Sequence, residues 1–244
     1  MTRNHAPIST SIDEGVIKFD LAFNHAPPQE LEAITELNAW RHILYRLGLT
    51  GCDPARYQGL AYGNVSMRTG PSSFIISGTQ TGAKPHLSLG DYCLVLGFDL
   101  AKNQVWAQGP IEPSSEALTH GAVYSVNPDT NCVLHVHSPL LWRSATQLGI
   151  AQTDASIAYG TPEMGLAVGL AAEGRSQGII SMGGHEDGLI AFADTICIAA
   201  IELVKCLAEA EKLSLVGWAK AARPCPSNRA DLDGQDPRGP LHCH

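Results

Sequence analysis

The stretch Cys132-Val133-Leu134-His135-Val136-His137 constrains this chain more than any other. Its apolar run has the length and β-branched content of a fully buried strand. Yet two of its positions carry imidazoles. Residues two apart in a strand leave the same face of the sheet, so His135 and His137 share a face and their ring nitrogens can reach one ion. Burying two imidazoles without partners is costly. A chain with this strand therefore builds a polar centre inside its core, bonds both rings to backbone carbonyls, or turns both rings to solvent.

Upstream, Pro113-Ser114-Ser115-Glu116 reads as a helix start, with Ser114 or Ser115 as cap and the helix running to about Val126. The first turn of a helix favours a carboxylate through its partial positive charge, and its free N–H groups favour a bound anion. One helix start can thus supply a base, Glu116, and an anion seat at Ser114 and Ser115. Two further turns at strand ends offer backbone N–H donors of the same kind. These are Thr69-Gly70-Pro71-Ser72-Ser73 and Gly78-Thr79-Gln80-Thr81-Gly82.

A third metal ligand must come from elsewhere. The Gly-flanked corner His185-Glu186-Asp187 lies between the apolar strands Gly178–Met182 and Leu189–Phe192. Three imidazoles suit zinc, which favours His185, with Asp187 and Glu186 as alternatives. His242-Cys243-His244 also has the form of a ligand set, but it falls in a stretch rich in Pro, Gly, Asp and Arg and is read as part of a tail.

The rest of the chain supplies the frame. A helical pattern starts at Gln29 and stops at Gly48. Strands are expected near 64–68, 74–77, 91–99 and 104–108, and helices open at Ser138-Pro139, Thr161-Pro162 and Asp194. Because several strands are adjacent in sequence, the pattern implies a mixed sheet with helices on both faces. Three segments result: a loose N-terminal arm (1–28), one folded domain (29–216) and a disordered C-terminal tail (217–244).

Of 244 residues, no apolar run reaches membrane-spanning length, and residues 1–20 contain no apolar core of a signal peptide. The net charge of −8 comes with no basic stripe, so neither nucleic acid nor membrane is an expected partner. Seven cysteines without a Cys-x-x-Cys pair are expected to be reduced thiols of a cytoplasmic protein.

Taken in order, Leu44–Leu49, Gly63–Arg68, Ile76–Thr79, Pro113–Glu116, Val133–His137 and Gly188-Leu189-Ile190-Ala191 resemble the class II aldolase/adducin head family, over roughly residues 30 to 214. The resemblance implies a class II aldolase-like three-layer α/β/α fold with a mainly antiparallel sheet, assembled as a homotetramer. It implies one Zn2+, or another divalent ion, per subunit, held by His135 and His137, with Glu116 as catalytic acid/base. It also implies phosphate contacts from Asn64, Ser77, Gly78, Ser114 and Ser115. The activity implied is aldolase-type carbon–carbon lysis of a small ketose, sugar or sugar phosphate through a metal-stabilised enediolate. Epimerisation, dehydration or decarboxylation at the same site, and a non-catalytic adducin-like binding module, are the alternatives. One departure stands out. The family's third histidine directly precedes Gly-Leu-Ile-Ala, where this chain has Asp187, with His185 two residues earlier. The tyrosine that the aldolase takes from a neighbouring subunit has no counterpart by motif, although Tyr159 lies near the corresponding region.

Overall fold

The computed structural model describes residues 15–30 and 32–221. In chain order its elements are β1 (Asp20–His25), α1 (Ala33–Arg46), β2 (Gly51–Cys52), β3 (Ala61–Tyr62), β4 (Asn64–Arg68), β5 (Phe74–Ser77), β6 (Tyr92–Asp99) and β7 (Gln104–Gly109). There follow α2 (Ala117–Val126), β8 (Cys132–His137), α3 (Pro139–Ser144), β9 (Ala151–Gln152), α4 (Pro162–Ala172), β10 (Gly178–Ser181), β11 (Gly188–Ala193) and α5 (Ile196–Ala221). Among the described residues, nine strands form one sheet in the order β1-β7-β6-β5-β4-β8-β11-β10-β9. All inner pairs are antiparallel, and only the edge pairs β1–β7 and β9–β10 are parallel.

The period-2 rule then sorts the core into two halves. Leu134 and Val136 of β8 point to one face, where they pack with Leu37 and Leu44 of α1, Leu141 of α3 and Leu203 of α5. Val133 points to the other face, with Leu118 and Val123 of α2 and Met164 and Val168 of α4. The result is a three-layer α/β/α sandwich, as the strand order in the sequence implies. Every residue of β8 is buried, because a central strand covered on both faces has no solvent side. His135 and His137 share the α2 face with Val133.

Three boundaries differ from the sequence reading. Asp20–His25, within the stretch expected to be a loose arm, is an edge strand. Its short alternation of exposed and half-buried residues is weak as a sequence pattern, and parallel pairing with β7 is what orders it. The last helix continues to Ala221, past the expected end of the domain at 216. It is capped by Thr195, whose hydroxyl accepts from the Ile198 amide at 3.3 Å. Asp194 instead accepts from the Asn131 side chain at 2.7 Å. The rest of the expected tail, with Cys225, Cys243 and the His242–His244 set, lies outside the described residues, as do residues 1–14 of the arm. Cys52, Cys93, Cys132, Cys197 and Cys206 are free thiols.

Candidate metal centre and anion cavity

Antiparallel registry assembles the centre. On β8, His135 stands opposite Ile190 of β11 and Asn64 of β4, and His137 stands opposite Gly188. The β10–β11 turn carries His185 back over these rings. The ligand atoms of His135, His137 and His185 all lie within 4.8 Å of one another, and all three residues are buried. The Nε2 atoms of His135 and His137 are 3.1 Å apart. Two nitrogens bound to one tetrahedral ion at 2.0–2.1 Å stand roughly 3.3 Å apart, so the spacing suits a shared ion. The other nitrogen of His135, Nδ1, is 3.2 Å from the Leu189 carbonyl, the kind of backing that fixes a ligand ring's tautomer. Burial, and then the neighbouring His185, His135 and Arg56, hold the His137 pKa well below its ordinary 6.5. Its ring is therefore the neutral form that binds metals.

Glu116 is the N-cap residue of α2. It is 2 % exposed, and among the described residues neither carboxylate oxygen has a hydrogen-bond partner. Its Oε1 lies 3.9 Å from His185 Nδ1, too far for a hydrogen bond. A buried carboxylate without donors, facing three imidazoles, is costly unless a ligand completes it. The residues present therefore fit a divalent cation.

Of the candidate third ligands, His185 is the one whose ring converges with His135 and His137. Asp187 turns away from the triad. Its Oδ2 accepts from the Tyr57 hydroxyl at 2.7 Å and lies 3.5 Å from Arg56 Nη1. A left-handed backbone, φ 64°, allows that turn, and Asp tolerates this conformation better than most residues.

Beside the triad is a small polar cavity lined by Gly15, Gly63, Asn64, Gly78–Gly82, Ser114 and Ser115, among others. Backbone bonds build it. Thr79 N donates to Glu112 O at 3.0 Å and Gly78 bridges Pro113, which draws the Ser114-Ser115 turn against the Gly78 turn. Asn64, Gly78, Ser114 and Ser115 thus meet as the sequence suggests. Ser77 does not line this cavity. Its hydroxyl oxygen accepts from the Val65 amide at 3.1 Å and fastens β4 to β5.

Several residues at the site carry no assignment from sequence. Tyr57 and Tyr62 pack on His137 with ring centroids at 4.8 and 5.2 Å. Tyr159, which the sequence places only near the right region, stacks on His185 at 4.3 Å, with the Lys18 ammonium 4.3 Å from the centre of its ring. His120 lies one helical turn beyond Glu116, wholly buried, with Nδ1 2.7 Å from Ser66 Oγ. Burial, then His135, keeps it neutral. Of these residues, His120 alone had a readable signal, since i and i+4 on a helix share a face.

The family described as Class II Aldolase and Adducin N-terminal domain matches residues 54–210. No curated protein sequence matches the chain. Among solved structures, it is similar to an L-fuculose 1-phosphate aldolase, with TM-score 0.58, 19% identity, and 81% of this chain and 91% of that one covered. The L-fuculose-1-phosphate aldolase of Thermus thermophilus gives TM-score 0.56 at 19% identity, covering 78% and 97%. The sugar-phosphate aldolase of Thermotoga maritima gives 0.60 at 17%, covering 80% and 97%. At these identities the structural likeness speaks to the fold, whereas the family match spans most of the chain. The protein belongs to the class II aldolase and adducin N-terminal domain family.

Proposed function

We propose that this protein is a zinc-dependent, aldolase-type lyase acting on a small ketose or sugar phosphate. One observation carries the reading. Three buried imidazoles with converging ligand atoms face a buried carboxylate that has no hydrogen-bond partner among the described residues. A scaffold has no use for a base beside a metal, and the cost of keeping one there argues for chemistry.

His135, His137 and His185 would hold the ion. When bound, the ion supplies Lewis acidity, polarising a substrate carbonyl and offsetting the negative charge that develops when a carbon–carbon bond breaks. Glu116 takes or returns the proton at the substrate atom next to that carbonyl. Its burial places it in a low-dielectric site where proton transfer is directed at the substrate rather than at water. Asn64, Gly78, Ser114 and Ser115 hold the anionic end of the substrate through amide and hydroxyl donors, and so orient the reacting carbons. Ser77 supports this wall through β4. Because Asn64, which lines the cavity, is the register partner of His135, one substrate can engage the anion seat and the metal centre together.

The test is Glu116→Gln. It should retain stoichiometric zinc by elemental analysis and lose about 10²- to 10⁴-fold in turnover, the usual worth of a positioned acid/base, on whichever member of a sugar-phosphate panel the wild type cleaves. Full activity would overturn the assignment. A wild type that accepts only epimerisation, dehydration or decarboxylation substrates would redirect the reaction at the same residues. Assembly is proposed to be a homotetramer. Leu166 and Leu170 on the outer face of α4 are 55 and 71 % exposed, which suits a covered surface. Light scattering would read the mass directly. No helix among the described residues is long and apolar enough to cross a membrane, and a cytoplasmic site of action is part of the proposal.

A further inference from the structure

Resting on the metal reading above, we infer that Tyr57 and Asp187 form a positioning pair that locks His185 into the coordination shell. The pair takes the place of a histidine at position 187.

Three features of the 182–188 turn lead there. Its backbone is tied at both ends, by Met182 N to Gly188 O at 2.9 Å and Gly188 N to His185 O at 2.9 Å. Its glycines lie hard against the 153–157 segment, since a Cβ on Gly183 would sit 2.3 Å from Thr153 O. Its third anchor is Asp187. The Asp187 carbonyl accepts from Ser138 N at 2.8 Å, and its carboxylate accepts from the Tyr57 hydroxyl at 2.7 Å across 130 residues of sequence. Asp187 is 3 % exposed and Tyr57 7 %. A bond so shielded from solvent holds its partners far better than an exposed one.

Tyr57 also touches the other side of the centre. The same side chain sets its ring edge-on against His137 at 4.8 Å. It thus connects the strand that offers two imidazoles with the turn that offers the third. Both members of the pair adopt left-handed backbone, φ 51° at Tyr57 and 64° at Asp187, and Gln58 does so as well at φ 56°. Such conformations in non-glycine residues persist where the surroundings over-determine them, and they concentrate at functional sites. Here both are needed at once. Turning Asp187 outward to Tyr57 is what lets His185, two residues earlier, turn inward. Arg56, beside Asp187 and Asp53, balances the charge of the buried carboxylate. Tyr57 and Asp187 are positioning residues and take no part in proton transfer.

The test uses purified full-length protein, zinc affinity by chelator competition, and the visible absorption of the Co(II)-substituted form. Tyr57→Phe keeps the ring on His137 and removes only the hydroxyl. It should weaken zinc binding about 10- to 100-fold, the usual cost of losing a group that orients a ligand, and shift the Co(II) bands. Asp187→Asn still offers Tyr57 an acceptor and should stay within about threefold of wild type. If Tyr57→Phe does not fold, Asp187→Gly, which suits a positive φ, should show the same loss. A merely structural role would lower the melting temperature of the apoprotein while leaving affinity and Co(II) spectrum unchanged, and that result overturns the inference. A wild type that binds neither zinc nor cobalt overturns the metal reading itself, and with it the pair's role.

Discussion

The turn that carries His185 can be tested by adding a single carbon. Gly184 has no left-handed φ, so alanine fits its backbone. The cost of Gly184→Ala is therefore purely one of space. A Cβ there would lie 1.8 Å from the Ile157 carbonyl oxygen, 2.7 Å from its carbon and 3.2 Å from Ala155 O. These are backbone atoms and cannot swing aside. Restoring the 3.0 Å below which real Cβ contacts are not found requires the turn to retreat by about 1.2 Å, several times the ~0.2 Å tolerance of a metal–ligand bond. His185 follows Gly184 directly and moves with it. Overpacking of this kind costs about 1–3 kcal/mol. For a chain of this size that lowers the melting temperature by about 2–12 °C. Zinc affinity should fall by about 100-fold or more, beyond the loss of an orienting group, because a ligand itself is displaced. Differential scanning calorimetry and chelator competition read the two effects separately. Gly90→Ala is the control. Its Cβ would meet nothing closer than 3.5 Å, and both quantities should stay at wild-type values. Wild-type zinc affinity in Gly184→Ala would refute the reasoning, either because the turn is not held against residues 155–157 or because His185 is not a ligand.

Other side chains give independent tests. Arg41 is 2 % exposed and donates to Thr81 O at 3.0 Å, Gly82 O at 2.7 Å, Pro85 O at 3.1 Å and Lys84 O. Arg41→Met should cost about 2–4 kcal/mol by urea denaturation and, if the proposed substrate is phosphorylated, raise its KM, because Thr81 and Gly82 line the proposed anion cavity. Ser66→Ala removes a hydroxyl that lies 2.7 Å from His120 Nδ1 and 2.8 Å from the Tyr124 hydroxyl, and the two orphaned groups should cost about 2–4 kcal/mol in the same assay. Burial pushes the Asp91 carboxyl up, but hydrogen bonds from Lys84 and Ser88 outweigh it and hold the pKa below the ordinary 3.8. A depressed carboxyl contributes stability above its unfolded pKa and loses it as pH falls through the folded value. The stability gap between wild type and Asp91→Asn, measured by denaturant titration, should therefore be full near pH 7 and close as pH drops below about 4.

What was legible in the sequence was what has a short period or a fixed spacing. The alternation in β8 put His135 and His137 on one face. Ser114-Ser115-Glu116 marked a helix start, and Gly63-Asn64 and Gly78 marked turns that the fold brings together. Glycines flanking His185 marked a corner between strands. What stayed hidden lacks local periodicity. Tyr57 sits in a left-handed turn and meets Asp187 across 130 residues, a contact that only the completed sheet creates. Lys18 and Tyr159 meet across 141 residues. β1 went unread because a six-residue edge strand in parallel pairing takes its order from β7. Ser77 had the right spacing, but its hydroxyl is engaged by the Val65 amide within the sheet, a competition that spacing alone does not reveal.

The place of the site in the fold follows from its cost. Among the described residues, the buried polar atoms without hydrogen-bond partners include both Glu116 oxygens, Asn64 Oδ1, Asp187 Oδ1 and His120 Nε2. These five belong to β4, α2 with its cap, or the turn after β10, beside β8, whereas Thr50 Oγ1, Asn103 Oδ1 and Thr130 Oγ1 lie in other loops. Each such atom costs about 1–3 kcal/mol, so together they take a large share of the roughly 5–15 kcal/mol by which a domain is stable. A peripheral site could relax by admitting water or moving a loop. This one cannot, because β8 is the sixth strand of nine and its apolar side chains anchor cores on both faces. That rigidity is what a metal centre needs, since its ligands must hold position to a few tenths of an ångström. The two opposing cores supply the stability that a pre-formed centre of buried polar groups consumes. On this account two of the imidazoles sit in a strand buried at every position because there the packing on both faces can hold them in place.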